Sequence, residues 1–206
     1  MSNAIGTVAA SGPRWATVTR STRETQIAVT LKLDGDGETN IETGVGFFDH
    51  LLNSFAQHAL FDLDIAASGD LVIDEHHTVE DVALVLGAAL AEALGDRSGI
   101  VRFGDAAVPM DESLATAVVD VGGRPYAVID LPFRGKRSGK LPLQLIEHIL
   151  ASFARAGGVT LNVKGRGRND HHLAEAAFKA LGRALLAATA VDPRRTGAAS
   201  TKGMLG

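Results

Sequence analysis

The chain has no cysteine among its 206 residues, which excludes disulfides, thiolate zinc sites, iron–sulfur clusters and a cysteine nucleophile together. Any metal here must be held by nitrogen and oxygen. Aromatic residues make up only 5%, so aliphatic side chains and alanine have to fill the core. No apolar run approaches the ~20 residues that span a bilayer, and residues 1–12 lack the charged-then-apolar layout of a secretory signal. A cytoplasmic location with no membrane partner is expected. Basic charge is not in excess either: the formal net charge is −4, and binding a phosphate backbone needs a basic footprint, so no nucleic-acid partner is expected. The glycine-rich Gly-x-x-x-x-Gly-Lys-Ser/Thr and Gly-x-Gly-x-x-Gly loops are missing too, which removes the common nucleotide cradles.

What is present is an ordinary globular composition, 46% hydrophobic and 21% charged, with a duplication inside it. Asp49-His50-Leu51-Leu52-Asn53-Ser54-Phe55-Ala56 returns as Glu147-His148-Ile149-Leu150-Ala151-Ser152-Phe153-Ala154. His76-His77-Thr78-Val79-Glu80 returns as His171-His172-Leu173-Ala174-Glu175, and Leu63-Asp64-Ile65 is answered by Leu161-Asn162-Val163. Alternating or β-branched stretches predict strands at 15–21, 25–33, 38–43 and 61–67, with Asp34-Gly35-Asp36-Gly37 and Ser68-Gly69-Asp70 as turns. Phe48, Leu51, Leu52 and Phe55 recur at i, i+3, i+4 and i+7 and predict a helix over 45–58; a second helix spans 75–94. The other half repeats the scheme with strands at 102–108, 113–121, 126–131 and 158–164 and helices at 141–155 and 171–190. Segments 134–140 and 164–169 read as exposed loops.

The expected fold is therefore α+β: two similar ββ(β)αβα halves related by duplication, with mostly antiparallel sheets and helices on one face. The halves are placed at 1–100 and 101–192, followed by a basic tail at 193–206 with weak intrinsic structure. From Lys179 onward, Lys179, Arg183, Arg194, Arg195 and Lys202 face only Asp192. A basic end on an acidic body suits a small anionic ligand or a neighbouring subunit.

Six of the seven histidines fall inside the repeated blocks. Ancestry alone preserves identities between repeats, but it gives no reason for His-His-x-x-Glu in particular to survive twice where other positions diverged. Divalent sites without thiolate recruit imidazole and carboxylate. On a helix, residues four apart share a face while adjacent ones diverge by about 100°. His76 with Glu80, and His171 or His172 with Glu175, can therefore close on one ion, but adjacent histidines cannot. Sites shared between repeats or subunits are the economical solution. Pseudo-symmetry assigns His76, Glu80, His148 and His172 to one ion and His50, His77, His171 and Glu175 to the other. Four nitrogen and oxygen ligands leave room for an octahedral ion, Mn²⁺ or Fe²⁺, with Zn²⁺ or Co²⁺ as substitutes. His58, whose repeat counterpart is Ala156, reads as a helix-end residue favoured by the helix dipole. Arg102, Arg124 and Lys179, with Ser200 and Lys202 in the tail, are candidates for an anionic group.

The strings Phe48-Asp49-His50-Leu51-Leu52, Asp74-Glu75-His76-His77-Thr78-Val79-Glu80-Asp81, His171-His172-Leu173-Ala174-Glu175-Ala176-Ala177-Phe178-Lys179-Ala180 and Asp192-Pro193-Arg194-Arg195 closely resemble the imidazoleglycerol-phosphate dehydratase family of histidine biosynthesis. The likeness runs over about Thr19 to Leu205. It implies a hydro-lyase with two Mn²⁺ per active site, held by the eight positions above. It also implies a homo-oligomer of 24 subunits with active sites at subunit contacts, and a small phosphorylated imidazole as substrate. The implied reaction takes D-erythro-imidazole glycerol phosphate to imidazole acetol phosphate and water, with the substrate ring bridging the ions as an imidazolate. Arg102, Arg124, Ser200 and Lys202 would meet the phosphate, with Lys179 near the substrate and Glu24 as acid/base; His50, His77, Glu80, His171 and Glu175 would take part in catalysis through the metals. Two other readings compete. A binuclear phosphate-ester hydrolase also uses His/carboxylate ions, though its sites are usually Asp-rich with a bridging carboxylate. A metal-stapled assembly without activity would have its ions saturated by protein ligands.

Overall fold

The computed structural model describes residues 14–202; the segment 1–13 and the tail beyond Lys202 lie outside the described residues. The first half runs β1 (Trp15–Ser21), β2 (Thr25–Lys32), β3 (Thr39–Glu42), α1 (Gly46–Ala59), β4 (Asp62–Gly69) and α2 (His76–Leu94). The second runs β5 (Phe103–Met110), β6 (Ser113–Asp120), β7 (Tyr126–Asp130), β8 (Arg137–Ser138), β9 (Leu141–Pro142), α3 (Gln144–Gly157), β10 (Thr160–Arg166) and α4 (Asp170–Thr189). Two four-stranded sheets result, ordered β1-β2-β4-β3 and β5-β6-β10-β7. In each, the last-named strand pairs in parallel and the other two pairings are antiparallel. The α+β duplication expected from the sequence is the observed architecture.

Three local expectations change. The strand β4 continues through Gly69 and β10 through Arg166, so Ser68-Gly69 and Lys164-Gly165-Arg166 are strand rather than turn and loop. Their pairing with β2 and β6 supplies ladder bonds that composition did not reveal. Segment 134–140 is not all loop, because Arg137–Ser138 pairs with Leu141–Pro142 in a strand too short to show a period. The described part of the tail is anchored: Ser98 bridges Ala198, Ile100 bridges Val191, and the Asp192 amide donates to the Gly99 carbonyl at 2.8 Å.

Each sheet has one buried face for the reason its alternation gives. In β2, Ile27, Val29 and Leu31 are buried, while Gln26, Thr30 and Lys32 point the other way. Helices α1 and α2 cover the first sheet, and α3 and α4 the second. The helices then cross between halves, α2 packing on α3 and α1 on α4. Two repeat-related glycines set the closeness of those crossings. A Cβ on Gly87 would stand 2.5 Å from the Phe153 carbonyl oxygen, and one on Gly182 would collide with the Phe55 carbonyl oxygen. Both obstacles are backbone and cannot swing aside. Gly87→Ala or Gly182→Ala should therefore cost roughly 1–3 kcal/mol each through overpacking, despite the better helix propensity of alanine. A urea midpoint equal to or above that of wild type would contradict this.

Candidate metal centre

The crossings bring the repeated histidines together. His76 and Glu80 sit one turn apart at the start of α2, and α3 delivers His148 beside them. His76 Nε2 lies 3.6 Å and His148 Nε2 3.1 Å from the Glu80 carboxylate. At the other crossing, α4 carries His171 and Glu175 one turn apart and α1 brings His50; both Nε2 atoms lie 3.1–3.2 Å from Glu175 Oε2. Each trio offers one ligand atom per residue, all within 4.8 Å of one another. Both trios draw on both halves of the chain, so the duplication is needed to build either.

Local structure aims these side chains. The Asn169 side chain caps α4 by accepting from the His171 and His172 amides. The His76 amide donates to Asp74 at 2.8 Å. Asp49 turns back to accept from the amide and hydroxyl of Thr43, which ties the first turn of α1 to the preceding loop and leaves His50 facing α4. The Phe47 ring lies 4.9 Å from that of His171.

Electrostatics differ between the trios. Burial pulls the Glu175 carboxyl upward, but the Lys179 ammonium at 2.8 Å and the His50 imidazole outweigh it and hold the group at about 2. Glu175 is thus an anion at any ordinary pH. Glu80 has Arg155, from α3, at 3.7 Å. His148 Nε2 is buried and makes no hydrogen bond despite its closeness to Glu80. An imidazole nitrogen buried in this way costs free energy unless something accepts its lone pair. Two imidazole nitrogens and a carboxylate converging at one point are the donor set of a borderline divalent ion, and three donors leave coordination positions open.

His77 and His172 are not in these trios. Each follows its trio histidine on the helix and diverges from it, the ring pairs standing 6.0 Å and 6.1 Å apart in edge-on geometry. His77 Nδ1 lies 3.0 Å from Asp70 and 3.8 Å from Glu24. His172 Nδ1 lies 3.0 Å from Glu112. Asp70 and Glu112 were missed by sequence reasoning; neither falls in a duplicated block, and only the strand-end geometry reveals them. Glu24 sits in a turn closed by Thr22, whose hydroxyl accepts from the Glu24 and Thr25 amides, and Thr25 donates to the buried Asp81 of α2. Its own carboxylate is more than half exposed.

Among the anion candidates, Arg102 makes a two-point bond to Asp120 at 2.7 and 2.8 Å and donates to the Ala199 carbonyl at 2.7 Å. It also packs against Gly122, where a Cβ would stand 2.9 Å from its guanidinium. Arg102 thereby joins the Gly122-Gly123-Arg124 loop to the tail segment that holds Ser200 and Lys202. Three of its five N–H donors are used, leaving two. Arg124 is exposed, with no side-chain hydrogen bond or ion pair among the described residues. A groove bordered by Pro125, Tyr126, His148 and Arg155 runs from this loop to the first trio. Lys179 is not with them; it lies on Glu175. His58 occupies the last turn of α1 as expected, but burial and the charges of Lys179 and Arg183 push its pKa down, so the dipole does not decide its charge.

Comparison with known proteins gives a uniform result. Residues 43–185 match the family model described as imidazoleglycerol-phosphate dehydratase. A protein of that name from Methanoculleus marisnigri is 54% identical over 192 residues, covering 93% of this chain and 100% of the relative. One from Acetivibrio thermocellus is 52% identical over 189 residues, 91% of this chain and 97% of the other. The crystal structure of the Staphylococcus aureus protein superposes with a TM-score of 0.79 at 34% identity, covering 86% of this chain and 99% of that one. That of IGPD from Pyrococcus furiosus gives 0.80 at 36% identity, with 91% and 100% covered.

Proposed function

The chain belongs to the imidazoleglycerol-phosphate dehydratase family, and from that premise we propose that it is a metal-dependent hydro-lyase of histidine biosynthesis. It converts D-erythro-imidazole glycerol phosphate to imidazole acetol phosphate and water. The observation that carries the metal part is the pair of His-His-Glu trios assembled across the two halves. His76, Glu80 and His148 hold one Mn²⁺, and His50, His171 and Glu175 the other. His172 completes the first set and His77 the second, both from neighbouring copies, since neither reaches a trio of its own chain. The exposed apolar residues Val72 and Ile73, 93% and 71% accessible just ahead of His76, fit a surface covered by another copy. A homo-oligomer of 24 subunits with active sites at its contacts is the corresponding assembly.

Held by these residues, the ions would supply Lewis acidity to the substrate. The chain does the rest. Arg102, with its two spare donors, and Arg124, Ser200 and Lys202 hold the phosphate. Lys179 keeps Glu175 ionised and in place beside the substrate. Glu24 accepts the proton from the carbon next to the one that loses hydroxide, and the resulting enol tautomerises to the ketone. Among the described residues no helix is long and apolar enough to cross a membrane, and a cytoplasmic setting suits a phosphorylated substrate.

The test is formation of imidazole acetol phosphate by the purified protein. Activity should vanish on chelation and return with Mn²⁺, and more weakly with Fe²⁺, Zn²⁺ or Co²⁺. Release of inorganic phosphate without ketone would favour the hydrolase reading instead. Reassembly on metal addition with no dehydration would leave the ions as structural staples.

A further inference from the structure

The two outward histidines have partners that the duplication alone does not explain. Glu24 directly precedes β2, and Glu112 directly precedes β6, so the two glutamates are equivalent positions of the two halves. Glu112 is fully committed. Its Oε1 accepts from the Arg168 and Asn169 amides at 2.8 and 2.7 Å, and its Oε2 takes His172 Nδ1 at 3.0 Å. In the first half the same service to His77 is done by Asp70, at 3.0 Å. At the spacing that aligns Leu63-Asp64-Ile65 with Leu161-Asn162-Val163, the position matching Asp70 is Arg168, just past the end of β10 at Arg166. The halves have thus exchanged roles: a carboxylate at 70 releases Glu24, while an arginine at 168 leaves Glu112 to hold the histidine.

A carboxylate only accepts hydrogen bonds, so the ring nitrogen facing it carries the hydrogen and the other nitrogen presents its lone pair. In both His77 and His172 the engaged atom is Nδ1, and Nε2 is bonded to nothing among the described residues. Metal-ligating histidines are commonly fixed through their second nitrogen in this way. Resting on the proposed metal reading, we propose that Asp70 and Glu112 are positioning residues: each fixes the Nδ1–H tautomer and ring orientation of an outward histidine, so that Nε2 is offered to an ion on a neighbouring copy. Asp70 has the further effect of leaving the Glu24 carboxylate free for the substrate.

The test is Mn²⁺ titration followed by electron paramagnetic resonance on the assembled full-length protein, with native mass spectrometry to count ions. Asp70→Ala should weaken one of the two ions by about 10–100-fold and leave the other, the range expected when a supporting partner of a ligand is lost. Asp70→Asn keeps an acceptor oxygen toward Nδ1 and should restore affinity to within a few-fold of wild type. Glu112→Ala, by the same reasoning, should weaken the other ion by a similar factor, and Glu112→Gln should not rescue it, because one amide oxygen cannot accept from both the Arg168 and Asn169 amides and His172 Nδ1. Wild-type binding of two ions with Asp70→Ala equally tight overturns the positioning role alone. Asp70→Asn binding as poorly as a variant with no acceptor also overturns it. No Mn²⁺ bound by the wild-type chain overturns the metal reading itself, and this inference with it.

Discussion

Replacing Glu24 with Gln should lower kcat by roughly 10²–10⁴-fold, the usual contribution of a positioned general acid or base, while KM and bound Mn²⁺ stay near wild type. The amide matches the carboxylate in size and keeps hydrogen-bonding capacity, so the turn built on Thr22 and anchored at Asp81 has no reason to move. What is lost is the ability to take a proton. The side chain is more than half exposed and lies 3.8 Å from His77 Nδ1, too far for a hydrogen bond, so the amide leaves the hydrogen bond between Asp70 and His77 in place. Steady-state kinetics with metal analysis decides the matter. A kcat within a few-fold of wild type would remove Glu24 from proton transfer. A parallel loss of metal would show that it acts on His77 instead.

Glu24 also marks the boundary of what could be read from the sequence. The two His-His-Glu trios were legible because two independent regularities met in the same residues. Spacing put His76 with Glu80 and His171 with Glu175 on common helix faces, and duplication put His50 and His148 in equivalent places. The grouping of His148 with the first pair and His50 with the second rests on crosswise helix packing, which pseudo-symmetry suggested and the approach at Gly87 and Gly182 realises. The strands were legible because one face of each sheet is solvent-facing, so alternation survives, as in Ile27, Val29 and Leu31. Asp70 and Glu112 were not legible, since an acidic residue at a strand end carries no periodic signal, and its partner is set by where the helix start falls in space. For Lys179 the charge was legible but its partner was not: four residues along a helix from Glu175, it lies on that carboxylate. Arg102 shows the intermediate case: its charge was legible, whereas its anchoring by Asp120 and its hold on the tail were not.

Mixing two inactive variants should restore activity. His50→Ala damages a trio, and His77→Ala removes the ligand proposed to reach that same ion from another copy. Each alone should lose roughly 100-fold or more, at least the cost of losing a partner of a metal ligand. When the two are unfolded, mixed in equal amounts and reassembled, some contacts join an intact trio from the His77→Ala chain to an intact His77 from the His50→Ala chain. With random pairing across symmetric contacts, roughly a quarter of the sites regain all their ligands. The control is His50→Ala mixed with His171→Ala. Both lesions lie in one trio of one chain, 3.1 and 3.2 Å from the same carboxylate oxygen, so no arrangement of copies repairs them and no activity should return. Recovery in the first mixture and not in the second follows only if ligands are shared between copies in this partition. Mixed particles without recovery would place His77 outside the site, and recovery in the control would break the assignment of His50 and His171 to a single ion.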